Sequence, residues 1–102
     1  MQFRPRRHRH LQRRDLEVNG DAVSLTCLCE GEKGVIANAF GGYGLTRRLA
    51  EMGLTPGVEV TLLRKCPFRG PLEVEVRGVS LALGYGVASK VFVKPLKVKP
   101  NG

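Results

Sequence analysis

Between residues 41 and 60, GGYGLTRRLAEMGLTPGVEV, the hydrophobic pattern changes period within a few residues. Leu45, Leu49 and Met52 fall at i, i+4 and i+7, one stripe of a short amphipathic helix, while Arg47, Arg48 and Glu51 point elsewhere. Gly53 supplies the left-handed residue that ends a helix. Pro56 and Gly57 suit a type II turn, because proline fixes the first central φ and glycine tolerates a positive second one. From residue 58 to 62 the period becomes two, with Val58, Val60 and Leu62 set against Glu59 and Thr61, so a strand with one buried face is expected.

The rest of the chain reads as strands. Residues 23–28 look like a first strand with EGEKG as its turn, and residues 35–40 like a second. Leu72, Val74 and Val76 alternate cleanly with Glu73, Glu75 and Arg77, which pairs this segment with the preceding strand as a hairpin through the loop CPFRGP, residues 66–71. Gly78 interrupts the pattern, residues 79–83 form another short strand, GYGVASK makes a tight turn or a single helical turn, and residues 91–93 close the series. Five or six short strands with one short inserted helix predict a mainly all-β fold, a small barrel that limits its exposed edges by partial closure.

The chain has 102 residues and a formal net charge of +8. Dividing the charge changes its meaning. Residues 1–14 hold 6 of the 17 basic residues and no acid, which leaves 11 basic against 9 acidic residues in the remainder. Residues 1–21 are therefore expected to be a flexible, disordered basic tail and residues 22–99 the folded domain. A run such as RPRRHRHLQRR is drawn to any dense negative surface, whether nucleic acid, anionic lipid or acidic protein. Phe3 is the tail's single aromatic residue, so stacking on exposed bases has little support. No apolar run approaches the roughly 20 residues that cross a bilayer, and the basic start lacks a secretory apolar segment. A cytosolic location is expected, at most peripheral to the inner face of the membrane. Three cysteines without an export signal are expected to be reduced.

Catalytic chemistry finds little footing. His8 and His10 both lie in the tail, no nucleophile of the folded part has a histidine near it in sequence, and GGYG at 41–44 matches no phosphate loop. No enzyme activity, cofactor or small-molecule substrate is expected. Cys27 and Cys29 form a C-x-C pair that a strand would present on one face, with Cys66 as a third thiol. A metal chaperone is one reading of that trio. Structural zinc usually takes four ligands at C-x2-4-C spacing, however, and buried cysteines also serve as small apolar residues, so no metal site is assigned. Arg47 and Arg48 are placed early in the helix, where positive charge is mildly unfavourable, and Arg47 pairs with Glu51 at i, i+4. The remaining arginine serves either a solvated face or an acidic partner. Tyr43 and Phe68, in expected loops, serve as apolar anchors for a partner or as plugs for the barrel ends.

The segment GVIANAFGGYGLTRRLAEMGLTPGVEVTLLRKCPFRGPLEVEVRGVSLAL, residues 34–83, closely resembles the FeoA family, the small ferrous iron transport protein A. The likeness extends over roughly residues 23–96, and its most specific part is RRLAEMGLTPG at 47–57, followed by EVRGVSLAL at 75–83. The resemblance implies an SH3-like barrel in the cytosol that assists the membrane permease FeoB, which carries a GTP-binding domain. Related domains occur at the C-terminus of iron-dependent repressors, which implies an alternative: a regulatory module with nucleic-acid contact through the basic tail. The signature residues Leu49, Gly53, Pro56 and Gly57 are architectural, and none is an iron ligand. Two departures from the family pattern stand out. Arg69-Gly70-Pro71 occupies the loop where Gly-Asp-Pro is frequent, and Gly84 stands where an arginine is frequent. Contact candidates for the permease are Tyr43, Arg47, Arg48, Phe68 and Arg69.

Overall fold

The computed structural model describes residues 16–18 and 20–98. Seven strands and two helices follow in the order β1 (Leu16–Val18), β2 (Val23–Ser24), a 3-10 turn (Leu25–Cys27), β3 (Lys33–Ala39), α1 (Gly42–Glu51), β4 (Glu59–Lys65), β5 (Leu72–Val76), β6 (Val79–Leu83), α2 (Tyr85–Ala88) and β7 (Val91–Val98). Every pairing is antiparallel, in the order β1-β7-β3-β4-β5-β6, with β2 beside β1 on the same edge of β7. The break between β1 and β2 falls opposite Lys94 and Pro95, and proline has no N–H to donate.

The inserted helix ends as its sequence dictates. Gly53 adopts φ +84°, its N–H donates to the Ala50 carbonyl at 3.0 Å, and the Leu54 N–H reaches back to the Leu49 carbonyl at 2.8 Å. These two bonds form a Schellman motif, and Leu49 and Leu54, the pair that flanks it, are both buried in the core. The Val58 N–H then donates to the Thr55 carbonyl at 3.1 Å around Pro56 and Gly57, with Gly57 at φ +91°, which is the expected type II turn. The turn is stitched to β3 by Gly57 N–H to Ile36 O at 2.8 Å and Ile36 N–H to Val58 O at 2.9 Å.

The core is the inward face of this sheet. Val60 and Leu62 on β4, Leu72, Val74 and Val76 on β5, Leu83 on β6, and Val91 and Val93 on β7 are all buried, with Leu49 and Leu54 packed among them. The clean alternation at residues 72–76 holds, with Glu73 exposed and Glu75 half-buried between three buried apolar residues. The β4–β5 hairpin and the helical turn after residue 83 also stand as expected.

Four expectations need correction. The first strand stops at Ser24, whose side-chain oxygen accepts the Thr26 N–H at 3.2 Å and starts a 3-10 turn. Leu25 and Leu28, spaced i and i+3, both reach the core, as three residues per turn allow and strand alternation does not. The mainly β, SH3-like class with one short inserted α-helix stands, but the sheet does not close into a barrel: its order leaves β1 and β6 as edges. Between them, α2 packs on the 3-10 turn, with Ala88 and Leu25 buried, so side chains rather than ladder hydrogen bonds seal that end. β1 pairs within the stretch 1–21 assigned to the tail, so the sheet begins before residue 22; residues 1–14 lie outside the described residues. The final strand runs to Val98 rather than 93.

One ionic tie joins the turn before β3 to the end of β7. The Cys29 N–H donates to Glu32 Oε1 at 2.8 Å, and Lys97 Nζ donates to Glu32 Oε2 at 2.6 Å. The backbone donor first, and the ammonium second, hold the Glu32 carboxyl below its ordinary value of 4.5. Such a group stabilises the fold fully above the unfolded pKa and loses that contribution as pH falls through the folded one. The stability gap between the wild-type chain and Glu32→Gln, read from urea midpoints, is therefore expected to be present at neutral pH and to shrink as pH falls below about 4.5. A gap that is constant across that range refutes the tie. A Cβ at Gly53 would meet Val76 Cγ1 at an ordinary 4.0 Å, so the penalty of Gly53→Ala is torsional, about 1–2 kcal/mol. Leu49→Ala is expected to lose about 2–5 kcal/mol by leaving a cavity. Thermal unfolding of the two variants checks both the size and the order of these effects.

Candidate partner-docking surface

The sequence candidates fall on two structural elements. Tyr43, Arg47 and Arg48 lie on α1, and Phe68 and Arg69 lie at the tip of the β4–β5 hairpin. Tyr43 stands in the first turn of α1 with 79% of its surface exposed. Arg47 Nε lies 3.8 Å from Glu51 Oε2, the expected i, i+4 pair, with both side chains about two-thirds exposed, so it contributes little to stability. Arg48 is not early in the helix. α1 begins at Gly42 and ends at Glu51, which puts Arg48 in the last turn, where the carbonyl end of the helix favours a cation. No carboxylate pairs with it among the described residues, so its guanidinium remains available to an acidic group.

Sequence reasoning missed Phe40. It is 58% exposed directly before α1, its ring meets Phe92 edge-on at 5.2 Å, and its N–H donates to the Lys90 carbonyl at 2.9 Å. Reading residues 35–40 as one strand hid it; β3 ends at Ala39, and the signal was an aromatic residue immediately before two glycines.

The hairpin tip is built differently. Phe68 and Arg69 occupy consecutive left-handed conformations, φ +58° and +59°, which non-glycine residues rarely adopt. The loop is held from within, by Cys66 N–H to Pro71 O at 3.1 Å and Gly70 N–H to Pro67 O at 3.0 Å. Phe68 is 98% exposed and so plugs nothing. The Arg69 guanidinium sits 5.8 Å from the centroid of Tyr85 on α2, a cation–π contact that ties the tip to the body of the domain.

Other chemistry is sparse. Cys27 and Cys29 are exposed, one in the 3-10 turn and one after it rather than on a shared strand face, and Cys66 is half-buried. No group of three or more His, Cys, Asp or Glu side chains is placed to hold a metal ion among the described residues. A groove of about 450 Å3 on the outer side of the sheet is lined by Lys33, Glu59, Thr61, Glu75 and Arg77. Its charges answer one another, with Lys33 Nζ donating to Thr61 Oγ1 at 3.0 Å and lying 3.9 Å from Glu59. A smaller cleft of about 200 Å3, between α1 and the sheet, is lined by apolar groups of Ile36, Leu49, Ala50, Leu54 and Pro56. Among the described residues no helix is long and apolar enough to cross a membrane.

The loop pose generates a prediction. A Cβ at Gly70 would stand 2.8 Å from Cys66 Cβ and 3.1 Å from the Pro67 carbonyl. Gly70→Ala is expected to destabilise by about 1–3 kcal/mol and to move the amide NMR signals of residues 66–71 while leaving those of α1 in place. Unmoved loop signals refute this account of the tip.

Comparison with known proteins places the chain. The model of the FeoA domain matches residues 23–95. A protein of Methanocaldococcus jannaschii named "Putative Fe(2+) transport protein A" is 31% identical over 65 residues, covering 64% of this chain and 77% of that one. The crystal structure of an iron uptake regulatory protein, FeoA, superposes with a TM-score of 0.69 at 37% identity, covering 74% of this chain and 99% of the other. A manganese-dependent transcriptional repressor shares the fold alone, with a TM-score of 0.67 at 21% identity over 72% of this chain and 41% of the repressor. With its helix, turn and following strands inside the matched segment, this chain belongs to the FeoA family of Fe(2+) transport accessory proteins.

Proposed function

We propose that this chain is a non-enzymatic accessory of ferrous iron uptake that docks on the cytosolic part of a FeoB-type GTPase-coupled permease and modulates or assembles it. Membership of the FeoA family is the observation that carries this reading. The geometry supports it in a specific way. The family-like residues Leu49, Gly53, Pro56 and Gly57 are taken up by the helix stop and turn, which leaves the outer face of α1 free for recognition. That face presents Tyr43, Arg47 and Arg48 on a rigid element, an aromatic residue and two arginines of the kinds enriched at binding hot spots. Phe68 and Arg69, the other two candidates, lie on a separate element, the tip of the β4–β5 hairpin. Function on the inner side of the membrane follows from the same reading. The repressor-like alternative shares the fold and nothing further that favours it here.

Reversing the charge of the helix face tests the docking. Arg47→Glu with Arg48→Glu is expected to reduce co-purification of the permease at least tenfold while leaving the melting temperature within a few degrees of wild type, because both side chains are exposed. Undiminished capture by the double variant removes α1 from the interface.

A further inference from the structure

We infer that the tip of the β4–β5 hairpin is a membrane-surface anchor, in which Phe68 enters the interfacial layer of an anionic bilayer and Arg69 meets its headgroups. The inference extends the docking reading by giving the loop a ligand different from that of the α1 face, and it relies on that reading only for the nearness of a membrane.

Among the described residues Phe68 is the most exposed of the large apolar ones, at 98%, and the others exposed are Phe40, Tyr43, Leu63 and Val79. Apart from Phe68, none of them falls between residues 64 and 78, so Phe68 is the single exposed large apolar side chain of the hairpin tip. A protein interface of ordinary size buries a continuous surface around its anchors. A lone aromatic with an adjacent cation suits the boundary between headgroups and acyl chains, where an apolar body and a charged end are both satisfied.

The loop backbone is prepared for that layer. Unpaired N–H groups are expensive to desolvate, and in the 66–71 segment those of Phe68 and Arg69 alone lack a backbone partner, which suits the polar headgroup layer rather than the acyl core. Pro67 and Pro71 carry none, while those of Cys66 and Gly70 are already bonded within the loop. The consecutive left-handed residues hold Phe68 outward at a conformational cost, which is the kind of strain that collects at ligand-contacting sites.

Charge points the same way. Below the tip, Glu30 accepts the Lys65 N–H at 2.8 Å, and the exposed Glu73 stands opposite Arg64 in the β4–β5 register, a carboxylate facing a cation of its own. Arg69 has no carboxylate partner among the described residues and rests on the Tyr85 ring, leaving its cationic edge free. Residues 1–14 add six arginines and no acid to the chain, and each basic group near an anionic leaflet adds to the attraction.

The chain contains no tryptophan, so Phe68→Trp creates a single fluorescent reporter at the tip. The full chain carrying it is titrated with vesicles of phosphatidylcholine alone and of phosphatidylcholine mixed equally with phosphatidylglycerol. Emission is expected to move to the blue on the anionic vesicles and to stay in place on the neutral ones, with binding weakened by salt. Phe68→Ala is expected to bind the anionic vesicles about tenfold more weakly while melting as the wild type does. Deleting residues 1–14 is expected to lower affinity and still leave the blue shift at saturating lipid. No sedimentation with anionic vesicles, sedimentation with unshifted emission, or equal binding by Phe68→Ala each overturns the inference. So does an emission shift produced by a DNA duplex and not by vesicles. The vesicles contain no protein, so these failures leave docking on a permease untouched, and loss of docking leaves the vesicle result standing.

Discussion

The rest of the domain depends on the left-handed stop at Gly53. A helix inserted between two strands must leave the sheet and return in register within a few residues. The Schellman bonds from Gly53 and Leu54 reverse the chain at the last turn of α1, and the Pro56–Gly57 turn delivers it into β4. Because side chains alternate along a strand, an error of one residue in that return would present Glu59 and Thr61 to the core in place of Val60 and Leu62. The hydrogen bonds between Gly57, Ile36 and Val58 fix the register against β3 before the β4–β5 hairpin begins. One glycine in a positive-φ conformation thus decides which face of the hairpin is buried.

That solution separates architecture from recognition. Most apolar positions of α1 and the strands are taken up by one core, and the candidate contact groups project from turns and from the outer helix face. Two of them are held by local devices rather than by packing: Arg69 by the Tyr85 ring and Phe40 by the edge of Phe92. Each device constrains direction while adding little to global stability, which lets such groups vary without endangering the fold.

The parts legible in the sequence were those where one period dominated. Alternation at residues 72–76 and the i, i+4, i+7 stripe of α1 named their elements, and Gly53, Pro56 and Gly57 named their turns. Where two periods fit, the strand reading won wrongly: Leu25 and Leu28 suit three residues per turn, and only the Ser24 cap, a side-chain event, decides between the two. The open sheet edge was hidden because closure depends on how α2 packs against the 3-10 turn, a contact across sixty residues. Of the surface, Tyr43, Arg47, Arg48, Phe68 and Arg69 were named by residue type, but their poses were not. No glycine marks the left-handed conformation of Phe68 and Arg69, and the position of Arg48 relative to the helix ends hung on where the first turn starts.

At Arg69 the sign of the charge decides the pose as well as the field, because a carboxylate there would be repelled by the electron-rich face of Tyr85 that a guanidinium favours. The cation that alters the surface field is therefore also the group that braces the loop against α2. Removing the charge would loosen the pose of Phe68 beside it, and removing Tyr85 would free the charge without changing its sign. Pose and charge at this tip are coupled through one ring, so the surface it offers is defined by three residues acting together rather than by the arginine alone.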